Sequence, residues 1–149
     1  MTFEELAASG RINYYDKNHE LIYCSDLVID KLVIPSYVKY IDSYAFEYCS
    51  IKEIIFEEGV EKIFTNAFYN THVQSVTIPK SVVYIAQGNF ENCHDLKRVF
   101  INKNENINFP EKEELKNKGI LIGTIEDLID SGKTLKEINE IIQIEERNR

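Results

Sequence analysis

Hydrophobic positions recur with a period of 22 residues between Leu32 and Ile101. Three successive segments, which begin at Leu32, Ile54 and Val76, align without gaps: LVIPSYVKYIDSYAFEYC, IIFEEGVEKIFTNAFYNT and VTIPKSVVYIAQGNFENC. A period of this length is typical of a solenoid, in which each repeat buries its apolar face only by stacking on its neighbours. The pattern therefore predicts a repeat scaffold.

Each repeat is predicted to contain one strand and one return segment. In the strand, apolar residues follow the spacing apolar-x-x-apolar-x-apolar, and strand alternation turns these residues inward and the residues between them outward. The return segment adds further apolar columns to the same core. The recurring columns are Ile34, Phe56 and Ile78; Val38, Val60 and Val82; Ile41, Ile63 and Ile85; and Phe46, Phe68 and Phe90.

Proline, Ala-Phe and cysteine also recur in a fixed phase within the repeats. The residues concerned are Ile34-Pro35, Ile78-Pro79-Lys80-Ser81-Val82, Ala45-Phe46, Ala67-Phe68, Cys49, Cys93, Leu96 and Val99. In this phase they resemble the BspA-like (type 5) leucine-rich repeats. The resemblance implies a short parallel-stranded solenoid used for protein–protein contact or adhesion. The chain departs from that pattern where the glycine after the middle isoleucine is replaced, by Asp42, Phe64 and Ala86, and where Ala-Phe becomes Asn89-Phe90.

The segment before the repeats has the features of a cap. Thr2 to Ala8 is predicted to be a helix, because Thr2 can serve as its N-cap and two glutamates follow in the first turn. Residues 11–24 contain two β-rich runs around a polar turn, so we expect a hairpin. A helix and a hairpin within residues 1–28 would cover the open edge of the first repeat.

After the repeats the sequence predicts mainly helices. The segment EKEELKNK is expected to be a short helix that ends at Gly119, and residues 120–122 are expected to form a last strand. Two more helices are predicted, over residues 124–132 and 134–146. The second carries an apolar stripe, which either packs against the solenoid or forms a homodimer seam: Leu135, Ile138, Ile141 and Ile142.

The predicted fold class is therefore α+β, a short leucine-rich-repeat solenoid with parallel strands between terminal caps. Residues 1–28 form the N-terminal helix and hairpin cap. Residues 29–102 hold about three and a half units of the repeat. Residues 103–149 form an acidic helical cap.

The outward face of the predicted sheet is the candidate binding surface. One outward column is more apolar than a solvated face requires, and exposed apolar patches mark contact sites. The alternative is that a terminal segment, such as the helix at 134–146, folds over this column. The predicted partner-binding residues are Val33, Glu53, Ile55, Glu57, Thr77, Arg98 and Phe100.

Charge and cysteine content restrict the function further. The chain has 17 basic and 25 acidic residues, a net charge of −8, which argues against direct binding to nucleic acid or to an anionic membrane. It contains no apolar run of transmembrane length and no signal-peptide pattern at its start. The three cysteines are interpreted as buried apolar residues in a reducing compartment. A cytoplasmic location is expected.

Catalytic and metal-binding patterns are weak. Ser131 to Thr134 resembles the end of a phosphate-binding loop, but Asp127 stands where that motif needs a glycine. His72 and His94 share a phase, and Cys93 is close to them, yet zinc needs four convergent ligands, so turn residues are the preferred interpretation. No nucleophile–base pair is suggested. We therefore expect that the chain is not an enzyme and that it binds no cofactor or metal.

Two functional hypotheses remain. The first is a non-enzymatic interaction module that binds a protein partner through the sheet face or through its acidic ends. The second is a small acidic inhibitor, such as a phage or mobile-element antagonist, that blocks a nucleic-acid-binding host protein. A homodimer through Leu135, Ile138 and Ile142 is a further expectation.

Overall fold

The computed structural model describes residues 1–24, 26–101 and 107–124, together with the single residues Lys136, Glu140 and Gln143. The described elements are α1 (Phe3–Ala8), β1 (Ile12–Tyr15), β2 (Glu20–Cys24), β3 (Val28–Ile34), β4 (Tyr40–Ile41), β5 (Ser50–Phe56), β6 (Lys62–Ile63), β7 (Ser75–Ile78), β8 (Tyr84–Ile85), β9 (Arg98–Ile101), α2 (Lys112–Asn117) and β10 (Leu121–Gly123).

The strands form two five-stranded sheets. The short-strand sheet has the order β1-β2-β4-β6-β8, and the long-strand sheet has the order β10-β9-β7-β5-β3. From β2 to β9 successive strands alternate between the sheets, so each turn of the chain adds one strand to both. The result is a mostly β solenoid of about 4 turns with parallel strands. The predicted α+β class is corrected for the described part of the chain, which is mostly β: its helices α1 and α2 have only 6 residues each.

Parallel stacking extends beyond the repeats recognised from the sequence. The predicted hairpin is confirmed, since β1 and β2 pair antiparallel, but β2 also pairs parallel with β4. The predicted last strand is confirmed as β10, which pairs parallel with β9. The helix at the start is confirmed as well, with Thr2 and Glu5 forming a capping box.

A ladder of phenylalanine rings runs through the core. Phe68 lies between Phe46 and Phe90, with ring centroids 5.1 and 5.2 Å apart and interplanar angles of 4° and 5°. Phe56 meets the ring of Phe68 edge-on at 6.1 Å. The ring spacing is close to the separation of neighbouring strands, about 4.8 Å, because each repeat contributes one ring per rung. The predicted phenylalanine column is therefore confirmed.

A buried asparagine joins neighbouring turns where the third repeat departs from Ala-Phe. Asn89 is fully buried, and its Nδ2 donates to the carbonyls of Phe64 and Ala86, both at 2.9 Å. Its Oδ1 accepts the N–H of Ala67 at 3.0 Å. Glu111, 22 residues further along, accepts the N–H of Asn89 at 2.6 Å. Each side chain thus satisfies a backbone group of the preceding turn.

We predict that Glu111 makes stability depend on pH. Burial raises the pKa of its carboxyl group, although hydrogen bonds from the backbone of Asn89 and Phe90 oppose the effect. A carboxyl group with a raised folded-state pKa binds its proton more tightly in the folded chain. Its contribution to stability therefore grows as pH falls through the raised pKa toward the ordinary value.

The measurement compares wild type with Glu111→Gln. Denaturant unfolding of both proteins at about pH 7 and about pH 5 gives two differences in the free energy of unfolding. We expect the free energy of unfolding of wild type, relative to that of the variant, to be larger at about pH 5 than at about pH 7. A difference that is equal at the two pH values, or that moves the other way, contradicts the prediction.

Candidate functional site

The outward face of the long-strand sheet carries two rows of side chains. The apolar row consists of Val33, Ile55, Thr77 and Phe100, each paired with the next. The charged row consists of Lys31, Glu53, Ser75 and Arg98, followed by Leu121. The register predicted for both rows is confirmed.

The exposure predicted for the apolar row is wrong at three of its four positions. Ile55, Thr77 and Phe100 are 0%, 5% and 3% exposed, whereas Val33 is half-buried. Ile55 and Phe100 are buried without belonging to the hydrophobic core cluster, because they point to the other side of the sheet. Side chains that face away from the core are buried only if another layer lies over them. The apolar row is therefore a second packed face.

The row is open at its first position. A cleft of about 330 Å³ lies between the start of α1 and the β3 edge of the sheet. Its lining residues are Met1, Thr2, Phe3, Glu4, Lys31, Val33, Pro35 and Glu57. The cleft thus brings together two of the predicted binding residues, Val33 and Glu57. Glu53 and Arg98 are half-buried in the charged row.

Three residues near the C-terminus are described singly. Lys136, Glu140 and Gln143 are helical and exposed. The residues of the predicted apolar stripe lie outside the described part of the chain: Leu135, Ile138, Ile141 and Ile142.

A second surface, which we call the tyrosine edge, was not predicted from the sequence. It lies where the chain passes from the short-strand to the long-strand sheet, and it consists of Tyr23, Tyr44, Tyr48 and Tyr69. Tyr23, Tyr44 and Tyr48 are 39%, 44% and 62% exposed. The rings of Tyr44 and Tyr69 pack edge-on with centroids 5.9 Å apart.

Asparagine side chains hold two of these phenols in place. Asn66 Nδ2 donates to Tyr44 Oη at 3.1 Å, and Asn92 Nδ2 donates to Tyr69 Oη at 3.3 Å. Each pair joins neighbouring turns of the solenoid. Both tyrosine side chains are therefore oriented before any partner arrives, which lowers the entropy cost of binding.

Tyr44 and Tyr48 occupy backbone conformations that tyrosine seldom adopts. Two columns of the repeat have positive φ: Tyr44 (60°), Asn66 (58°) and Gly88 (81°), and Tyr48 (63°), Asn70 (57°) and Asn92 (58°). Asparagine and glycine tolerate this region well, whereas a residue such as tyrosine costs roughly 1–2 kcal/mol there. An unfavourable conformation at an exposed residue suggests a role other than stability. The mismatch within these columns is the sequence signal that could have revealed the edge.

The tyrosine edge is acidic. Asp26 lies in the same column as Tyr48, and Glu47 directly precedes Tyr48 in the chain. Partial burial raises the pKa of the Tyr23 phenol, and the carboxylates of Asp26 and Glu47 raise it further. These two carboxylates therefore act on the same small area of surface as the tyrosines.

Comparison with family models identifies the repeats. The model described as BspA type leucine rich repeat region matches residues 20–131 in 6 copies. The chain belongs to the BspA-type leucine-rich repeats. The matched range includes β2 and β10, in agreement with the parallel stacking at both ends. No curated protein sequence and no solved structure matches the chain.

Membership of the BspA-type family indicates a protein-interaction module, and the leucine-rich repeat family is generally non-enzymatic. Within the described ranges, no helix of this BspA-type chain is long and apolar enough to cross a membrane.

His72 and Cys93 of this BspA-type chain have structural partners. His72 Nδ1 lies 3.0 Å from Asp95 Oδ2, and among the described residues no three His, Cys, Asp or Glu side chains form a metal-binding group. All three cysteines are free and buried, as predicted. Cys93 Sγ donates to the carbonyl of Phe68 at 2.9 Å, and burial raises the pKa of this thiol. A protonated, buried thiol is a poor nucleophile.

Proposed function

We propose that this BspA-type repeat protein is a non-enzymatic interaction module that binds a protein partner through the outward face of its long-strand sheet or through its acidic ends. The observation that carries the proposal is the cleft beside α1, where the otherwise buried apolar row is accessible. Val33, at the accessible end of the row, supplies an apolar contact beside Glu57.

The predicted contact residues divide into two groups. Val33, Glu57, Glu53 and Arg98 are partly accessible and form the proposed primary contact. An apolar side chain of the partner would enter the cleft beside α1, while the charged row would fix its orientation. Ile55, Thr77 and Phe100, which are buried, would contribute only by supporting this surface.

Two predictions concern residues outside the described part of the chain. One is the homodimer through Leu135, Ile138 and Ile142. The other is that the helix predicted over residues 134–146 folds over the apolar row. Both stay predictions.

The N-terminal segment is proposed to cap the first turn. Phe3 is buried, and its ring packs edge-on against Tyr14 and Tyr37 at 5.9 and 6.0 Å. Strand β1 continues the short-strand sheet past β2 by antiparallel pairing, which ends the parallel stacking. A cytoplasmic location is proposed because the three thiols are unpaired.

Affinity capture from the native host, followed by mass spectrometry, tests the proposed surface. The baits are wild type, Glu57→Lys, Arg98→Glu and, as the control, Lys17→Glu in the exposed hairpin turn. We expect a partner that wild type and Lys17→Glu retain and that each surface variant loses by about 10-fold or more, a typical cost of reversing a contact charge. Equal recovery by all four baits would contradict the assignment of the surface.

Salt distinguishes this proposal from the acidic-inhibitor alternative. An acidic chain that occupies a basic cleft is held by many screened charges, so its affinity should fall steeply between about 50 and 200 mM salt. A partner bound mainly by apolar contacts at the cleft should show a much weaker response. A flat salt response would exclude the inhibitor hypothesis for the captured partner.

A further inference from the structure

The tyrosine edge and its carboxylates have a consequence for the chemistry of a partner. The edge is built from β2 with residues 26–27 and from three turn segments, residues 42–49, 64–71 and 86–93, and these segments contain no lysine, arginine or histidine. They contain five carboxylates, those of Glu20, Asp26, Asp42, Glu47 and Glu91. A surface that combines exposed aromatic rings with negative charge attracts cations.

We infer that the tyrosine edge binds an arginine-bearing segment of a partner protein. The face of an exposed tyrosine ring attracts a guanidinium group, which also forms paired hydrogen bonds with carboxylates. Tyr48 and Glu47 offer both kinds of contact at adjacent positions in the chain, and Tyr48 is exposed. Tyrosine and arginine are also the residues that most often dominate binding energies at protein interfaces.

The backbone of Tyr48 supports a role in binding over a role in folding. Its column contains Asn70 and Asn92, which adopt the same conformation with φ of 57° and 58°. Asparagine would therefore suit position 48 at least as well as tyrosine does. The 62% exposure of the Tyr48 side chain leaves most of its ring available for contact.

This inference rests on the proposed function, because it assumes that the chain acts by binding protein, but it concerns a different surface from the cleft at Val33. The probe is a dye-labelled peptide of alternating arginine and glycine. A matched peptide carries citrulline, which has nearly the same shape and no charge, in place of arginine. Fluorescence anisotropy gives Kd for both peptides with full-length protein.

The test variants remove aromatic rings and leave the charge of the protein unchanged. Tyr48→Asn introduces the residue that the same column holds in the next two turns. We expect Kd for the arginine peptide to rise about 2- to 5-fold in Tyr48→Asn and about 10-fold in Tyr44→Asn/Tyr48→Asn. Tyr15→Asn, which removes an exposed tyrosine on β1 outside the edge, should leave Kd unchanged. The melting temperature of Tyr48→Asn should equal that of wild type or be higher by about 2 °C.

Several results would overturn the inference. Equal Kd values for all variants would mean that net charge alone holds the peptide, and equal binding of the citrulline peptide would mean that no cation is recognised. A lower melting temperature for Tyr48→Asn would assign Tyr48 a structural role. Self-association that depends on Tyr48 would place a second copy of the chain on the edge. If wild type fails to bind the arginine peptide, only this inference fails, since capture with the Glu57 and Arg98 variants tests the proposed function separately.

Discussion

Phe68→Ala is expected to lower the free energy of unfolding by about 3–5 kcal/mol. The ring of Phe68 is fully buried and lies between two stacked rings, with a third ring edge-on against it. The cavity left by alanine cannot collapse easily, because the parallel pairing of β4, β6 and β8 fixes the spacing of the turns that carry the three rings. The N–H of Phe46 also donates to the carbonyl of Ala67 at 2.8 Å. Each of these rings would also lose a stacking partner, a contact worth about 0.5–1.5 kcal/mol.

Urea unfolding followed by far-UV circular dichroism measures this loss, since the chain contains no tryptophan for fluorescence. Tyr15→Ala serves as the control, because Tyr15 is 45% exposed and should change stability by no more than about 0.5 kcal/mol. A loss below about 1.5 kcal/mol for Phe68→Ala would mean that the neighbouring rings repack into the space, contrary to the rigid column described here.

Phe100→Asp is also expected to lower the free energy of unfolding by about 3–5 kcal/mol. On an exposed face the substitution would cost little and would serve as a probe of binding. Because Phe100 is 3% exposed, aspartate would instead place a charged group inside the second packed layer and remove a large apolar side chain from it. Val33→Asp, at the half-buried end of the same row, is the matched control and should cost much less.

A double-mutant cycle can identify the residues that cover Phe100. If the helix predicted over residues 134–146 folds over the apolar row, Ile138→Asp should also destabilise the protein. The double variant should then lose less than the sum of the two single losses, with a coupling of about 0.5–3 kcal/mol. Additive losses would show that Ile138 does not share the environment of Phe100. A Phe100→Asp protein as stable as wild type would show that the row is open to water, as the sequence suggests.

The core and the register could be predicted because both follow from periodicity. A ring at Phe46, Phe68 and Phe90 must stack if the chain repeats every 22 residues, and strand alternation alone places Val33 and Ile55 on the outer side of the sheet. Alternation does not reveal what lies on that outer side. The burial of Phe100 depends on a second layer, and no property of the repeat specifies that layer.

The remaining differences arise where one repeat departs from the others. Asn89 breaks the Ala-Phe pattern, and the sequence shows the change without showing that its side chain satisfies three backbone groups. Tyr44 and Tyr48 appear in the sequence as ordinary aromatic residues. Their significance depends on the backbone conformation of their columns, which the structure shows. Both cases suggest that mismatches within a column deserve as much attention as the matches.

The constant register also determines how the chain can acquire its structure. Val28 pairs with Ser50, and Ser75 pairs with Arg98, so parallel neighbours in the long-strand sheet are always 22 or 23 residues apart. Every new rung therefore requires the closure of a loop of nearly the same length, at nearly the same entropy cost. Folding can begin at any adjacent pair of rungs and spread toward both ends. Under a force applied to the two termini, rungs would separate one after another rather than all at once.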